Sequence, residues 1–282
     1  MAITQYSING VNMGSRSSNP MGWAILRGGT QQLGGITRSV SKVNVPGYDG
    51  YFQVPSTRTE QVLIFNIETP RENLDSLLAV LAHTGYDSNF PTLGSIEVST
   101  SAGTAAYYDL LSAIPGSDDS NDRTVSVTAT LNIPYGGWRD KSTTESSHNI
   151  NLAPTVITSL ASGLSLPIRD MDVFIEGNVG TMQINDSGGS WLRTTSSYVY
   201  QSGRGIMFQG STGRAFSATN NSPWSSLGDL SHAVDISGGG FKLTPKFNPA
   251  TLGTRSASIS VLSLSLSGVT VKFRLRRAYS VR

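Results

Sequence analysis

Hydrophobic positions along most of this chain recur with a period of two. "VLIFNI" at 62–67 reads as a buried strand, and "SIEVST", 95–100, and "AAYYDLL", 105–111, as two strands joined by a turn at Ala102-Gly103. In "RTVSVTATLNIP", 123–134, Val125, Val127, Ala129, Leu131 and Ile133 alternate with Ser and Thr up to Pro134. That alternation predicts a half-buried antiparallel strand whose other side meets solvent or a partner. Two long runs, about 257–267 and 269–279, meet at Gly268. In the second, Val269, Val271, Phe273 and Leu275 share one face while Lys272, Arg274 and Arg276 share the other, so the last strand has a core side and a basic outer face.

One segment has the helical period instead. In "ETPRENLDSLLAVLAHTG", 68–85, Thr69 stands as N-cap, Pro70 at the first helical position and Glu72 at the third, a capping box with a well-placed proline. Leu74, Leu77, Leu78 and Leu81 then make one apolar face, and Gly85 closes the segment. The spacing predicts a single helix over about 69–84, one-sided and packed on a sheet. From 139 to 167 no period holds, which reads as a linker over 141–167 between a first domain, 1–140, and a second, 168–282. Within 171–217, short strands run between turns at Gly177, Ser187-Gly188-Gly189, Gly203 and Gly210, the turn spacing of a sandwich or jelly roll.

Composition sharpens this picture. Charged residues are 14% of the 282 positions, well under the usual quarter, and Ser, Thr, Asn and Gly fill the gap. A surface of hydroxyls and amides suits β-structure. It also suits burial under other subunits, because covering a hydroxyl costs far less than covering an ion. Cysteine is absent, which removes disulfides, thiolate zinc sites and cysteine nucleophiles together. The start, "MAITQYSING", has neither a basic nor an apolar leader region, so no signal peptide is expected, and no stretch approaches a membrane span.

The net charge of +2 argues for no general nucleic-acid binding, but the charges are unevenly placed. After Asp235 no acid follows, whereas Lys242, Lys246, Arg255, Lys272, Arg274, Arg276, Arg277 and Arg282 do. Two readings stand: an edge strand protected by its charges, or a docking face for an acidic partner on Lys272, Arg274 and Arg276. The acids of "PGSDDSNDR" fit no EF-hand register. No zinc-binding His pair, nucleophile elbow or phosphate loop occurs, so no metal, cofactor or enzymatic activity is expected. Asp170, Asp172 and Glu176 are the candidates for a hydrolytic carboxylate pair. Trp224, in the loop "NNSPWSS", is the least core-like tryptophan and the candidate for stacking on a sugar ring.

One further stretch, "KVNVPGYDGYFQVPS", crowds Pro46, Gly47, Asp49 and Gly50 into a turn and sets Tyr48 and Tyr51 on it. A hairpin tip needs the punctuation but not the rings. A strand "YSINGV", this "VPGYDG" turn, another strand, a capped helix and a polar junction into a jelly-roll-like half: the chain resembles the distal tail proteins of long-tailed, non-contractile bacteriophages. That family often carries Pro-Gly-x-Asp-Gly, here with Tyr48 where a basic residue is frequent. "SGGGFKLTPKFNPAT" and "VKFRLRRAY" are similar to minor tail proteins of phages that infect actinobacteria, and the second half departs from the family's galectin-like examples.

The resemblance implies a mainly β protein: an N-terminal β-sandwich or split-barrel belt domain with one α-helix, plus a C-terminal antiparallel β-sandwich of jelly-roll or galectin-like type. It implies a ring, usually hexameric, at the distal end of the tail in the virion, made in the host cytoplasm. The belt joins the tail tube protein above to the tail-tip hub or tail-associated protein below. The tape measure protein, a receptor-binding protein or host cell-wall glycan complete the partners. Pro46, Gly47, Tyr48, Asp49, Gly50 and Tyr51 would then be a preorganised ring contact, since tyrosine offers large contact area with few rotors. A carbohydrate-binding adhesion module and a major tail-tube subunit are the alternatives.

Overall fold

A computed structural model of the chain describes residues 5–14, 21–33, 41–43, 52–54, 61–82, 86–87, 90–91, 94–99, 103–116, 123–133, 137–151, 154–164, 166–179, 181–195, 198, 201–247, 255–263 and 266–279. The protein is mainly β, and every described strand pairing is antiparallel. It divides into two compact units, Met1–Lys141 and Ser142–Tyr279.

The first unit is built on one curled sheet with the strand order Val11–Asn12, Gln5–Ile8, Gly94–Ser99, Thr104–Pro115, Thr124–Ile133, Gln61–Pro70, Ala24–Leu33. Alternation does what the sequence pattern requires: Val127, Ala129, Leu131 and Ile133 are buried while Ser126 and Thr128 are exposed. "VLIFNI" is one-sided rather than buried throughout. Leu63, Phe65 and Ile67 enter the core, and Val62, Ile64 and Asn66 stay half-buried, because only one face of that strand looks into the core.

The helix is shorter than its sequence signature. Thr69 and Pro70 are still strand, paired with Val125 and Thr124, so Pro70 precedes the first turn instead of opening it, and no side chain caps that turn. Thr69 is wholly buried and donates its hydroxyl to the Pro70 carbonyl at 3.2 Å. A 3-10 turn, Arg71–Asn73, follows, and the one α-helix among the described residues is Leu74–Leu81. Leu77 and Leu81 drive it onto the sheet. His83 and Gly85 lie outside the described residues.

The end of that helix is held by the tip of the first hairpin. Asn9 and Gly10 both take positive φ, 49° and 79°, the two-residue turn that Asn-Gly favours. Asn9 then spends its amide on three neighbours. It donates to the Val80 carbonyl at 2.7 Å and to the Tyr108 hydroxyl at 3.0 Å, and it accepts the Ser95 backbone N–H at 2.8 Å. Tyr108, wholly buried, donates in turn to the Leu81 carbonyl at 3.0 Å. Burial pushes the Tyr108 hydroxyl up to about 12, with the Asn9 hydrogen bond opposing part of that rise. Gly94 makes the room, since a Cβ there would lie 2.5 Å from the Tyr108 ring. Two carbonyls at the helix C-terminus are thereby satisfied without water.

The second unit is a sandwich of two sheets, each six-stranded among the described residues. One runs Thr144–Ile150, Leu266–Leu275, Asp172–Val179, Arg204–Gln209, Arg214–Thr219, Gly228–Asp229. The other runs Thr155–Ser162, Arg255–Ser263, Met182–Asp186, Trp191–Thr194, Val234–Ile236, with Lys246–Phe247 beside Arg255–Ser263. Val173, Ile175, Val271 and Phe273 from the first meet Ile184, Leu192, Ile259 and Val261 from the second in one apolar core.

The polar stretch expected as a linker over 141–167 is therefore not a linker. Thr144–Ile150 and Thr155–Ser162 are strands, one in each sheet, and the division between units falls after Lys141. Their pattern hides because Thr144–Ile150 turns Ser146 and His148, not aliphatic residues, to the same side as Ile150. The two runs near the C-terminus also part company, Arg255–Ser263 joining one sheet and Leu266–Leu275 the other. Gly268 lies inside the second run with φ 63°, opposite a bulge at Gly177, where a Cβ would press to 2.9 Å from the Gly268 carbonyl oxygen.

Candidate functional site

The turn Pro46, Gly47, Tyr48, Asp49, Gly50 with Tyr51 lies outside the described residues, as do Asp118, Asp119 and Asp122. The strands flanking the turn are described. Ser41–Val43 and Phe52–Val54 pair antiparallel, with Val43 opposite Phe52.

The basic strand shows how register sorts its charges. Leu266–Leu275 lies beside Asp172–Val179 with Arg274 opposite Asp172, Lys272 opposite Phe174 and Thr270 opposite Glu176, all on the face away from the core. Arg274 grips Asp172 through Nη2 at 2.6 Å and Nε at 3.1 Å, and the Gly210 N–H donates to the other carboxylate oxygen at 3.3 Å. Lys272 Nζ lies 3.7 Å from Glu176 and 5.5 Å from the centre of the Phe174 ring. Glu176 also accepts from the Asn220 amide. Two of the three cations are thus neutralised within their own sheet. Arg276 is exposed, with no ion pair or hydrogen bond among the described residues. The acids weighed for hydrolysis, Asp172 and Glu176, are the counter-ions of this lattice, while Asp170 sits half-buried just before the strand.

Trp224 belongs to the same face. It packs with Phe216 against a small second core of Phe174, Met207 and Ala218. The Phe174 ring meets it edge-on at 6.5 Å, the Arg274 guanidinium lies 4.8 Å over its centre, and its Nε1 is closed off from solvent. One face of the indole is therefore already taken by a cation. Gly205 completes the arrangement, since a Cβ there would run into the Phe174 ring at 2.6 Å.

In the first unit the strand Thr104–Pro115 leaves Tyr107, Leu111 and Ile114 more than half exposed, at 53%, 58% and 63%. A register shift between Leu110 and Ser112 breaks the alternation midway. The neighbouring strand shows Ser126 and Thr128 there, and Thr128 donates to Asn66 at 3.0 Å. This surface combines apolar side chains with hydroxyls. Among the described residues no cluster of His, Asp and Glu could hold a metal ion, and no helix is long and apolar enough to cross a membrane.

No family model and no curated protein matches the sequence. Solved structures do. The crystal structure of the Dit protein of phage SPP1 superposes over 97% of this chain and 99% of its own length, with a TM-score of 0.59 at 10% identity. This chain has the fold of SPP1 Dit. The agreement spans both units of this chain, and at 10% identity it survives as fold rather than as residues. SPP1 Dit is described as a paradigm of the hub adsorption apparatus in phages that infect Gram-positive bacteria. Chains of the phage p2 baseplate in its activated conformation, with strontium and with calcium, align at 10% identity with TM-scores of 0.43 and 0.42, below the level that establishes a shared fold.

Proposed function

We propose that this chain is a structural virion protein, a subunit of a ring at the distal end of a phage tail that joins the tail tube to the tail-tip hub. The observation that carries the reading is the end-to-end correspondence with SPP1 Dit through both units. The exposed, uncharged stripe of Tyr107, Leu111 and Ile114 supports it, because such a surface is covered by another protein at small desolvation cost. In this reading the first unit is the belt, and the second projects as the platform for receptor-binding components. The tube, hub and tape measure proteins are its neighbours, and Arg276 is the cation left to meet an acidic one.

A cyclic ring uses two different patches on each subunit. The Pro46–Gly50 turn with Tyr51 is assigned to one of them. Purified protein is expected to form closed rings, seen as a single large mass in solution and as annuli by electron microscopy. Protein that stays monomeric at high concentration would remove the ring. Replacing Tyr48 and Asp49 together with Ala is expected to weaken assembly at least tenfold, equivalent to about 1.4 kcal/mol, with circular dichroism unchanged. Rings that form as readily as before would take the turn out of the contact.

A further inference from the structure

Thr144–Ile150 is an edge strand, paired with Leu266–Leu275 and, among the described residues, with no strand on its other side. Its Ser146, His148 and Ile150 lie opposite Phe273, Val271 and Val269, which are wholly buried, so the half-buried histidine is turned toward the sandwich core. The His148 ring centre is 6.0 Å from that of Phe273, tilted by 59°. Its Nε2 is closed off from solvent and meets no hydrogen-bond partner among the described residues. A neutral imidazole tolerates that, because the bare lone pair can sit on Nε2. An imidazolium does not, because both nitrogens then carry N–H groups that need acceptors.

Among the described residues the surroundings offer no counter-charge. Glu145 lies opposite Arg274, on the outer face with Lys272 and Asp172. On the inner face Leu266–Leu275 presents Val269, Val271, Phe273 and Leu275, and the next strand presents Val173 and Ile175. Across the sandwich the core is lined by Ile157 and Ala161 of Thr155–Ser162 and by Ala257, Ile259 and Val261 of Arg255–Ser263. The ionisable residue of those two facing strands is Arg255, itself a cation.

We propose that Thr144–Ile150 is an acid-released edge: a proton on His148 drives the ring out of the core and detaches the strand, uncovering the flank of Leu266–Leu275. Burial holds the His148 pKa below its ordinary 6.5. A base so depressed binds more protons when the strand is detached than when it is docked. Docking is therefore fully held above pH 6.5 and is lost as pH falls through the lowered value. The uncovered flank presents backbone N–H and C=O groups that a strand from another chain can pair with.

Hydrogen exchange of the full chain at about pH 7.5 and about pH 5 tests this across the range in which histidine titrates, with rates converted to protection factors to remove the intrinsic effect of pH. Amides of Thr144–Ile150 are expected to lose protection several-fold on acidification, while those of Met182–Asp186 keep theirs. His148→Phe, which fills the site without a basic nitrogen, is expected to abolish the response. Equal protection at both pH values, or a loss that persists in His148→Phe, overturns the proposal. The ring itself gives a second reading in the unaltered protein. An NMR titration of His148 should have its midpoint below 6.5, and a midpoint at or above that value refutes the idea even where the Phe variant does not fold.

Discussion

Asn9→Ala is expected to cost the first unit about 3 kcal/mol, roughly 1 from forcing alanine into left-handed backbone and about 2 from the polar groups it strands. Those groups are the Val80 carbonyl, the Tyr108 hydroxyl and the Ser95 N–H, each now bonded to the one amide. The Tyr108 hydroxyl keeps its bond to the Leu81 carbonyl but loses its donor, and the Val80 carbonyl and Ser95 N–H lose the side-chain partner they share. Asn9→Gly separates the two contributions. Glycine accepts the φ of 49° freely, so it should recover the backbone share and leave the hydrogen-bond share lost. Urea unfolding followed through the amides of Leu74–Leu81 and Gln61–Pro70 reads the change where it acts. A loss under about 0.5 kcal/mol, the noise of surface substitutions, would mean that the helix end does not depend on this clamp. The helix and the strand bearing Tyr107, Leu111 and Ile114 are tied to each other through Tyr108, so loosening the clamp is expected to loosen that surface as well.

Phe174→Ala is expected to destabilise the second unit by about 3–5 kcal/mol, the range for deleting a buried aromatic side chain. Phe174 is wholly buried although it points away from the main core, because Trp224, Met207 and Ala218 roof it over. Removing it takes away the floor under Trp224 and the ring beside Lys272, and leaves a space over Gly205, which has no side chain to fill it. Trp224 should then move toward water and shift the fluorescence to longer wavelength, with Trp224→Phe identifying its share. Phe174→Leu, which keeps most of the volume, should cost less than about 1.5 kcal/mol. Unaltered melting with unaltered emission in Phe174→Ala would show that this outer cluster is a surface decoration. The basic strand depends on the same cluster, since the guanidinium of Arg274 is fixed between Asp172 and the indole.

Local pattern determined a good deal of this protein. Alternation along 127–133 and 269–275 placed the right residues in the two cores, while Val125 stays half-buried, because along a strand with one core-facing side the period of two is burial itself. The leucines at 74–81 made the helix face, and the shortage of charge with its excess of hydroxyls and amides pointed to a β-rich fold. Only the tertiary structure decided the rest. Thr69 and Pro70 satisfy the rules of a helix start, but pairing with Val125 and Thr124 keeps Pro70 in the strand instead of in the first helical turn. Thr144–Ile150 looked like a linker because an edge strand buries little, so its core side could carry Ser146 and His148 and show no apolar rhythm. Lys272 and Arg274 looked like a free basic face because their counter-ions, Asp172 and Glu176, lie about a hundred residues away and become neighbours only through register. Periodicity reports which side of an element is covered. Which partner covers it, and which charge is already answered, is a matter of pairing between distant segments, and no window along the chain contains both.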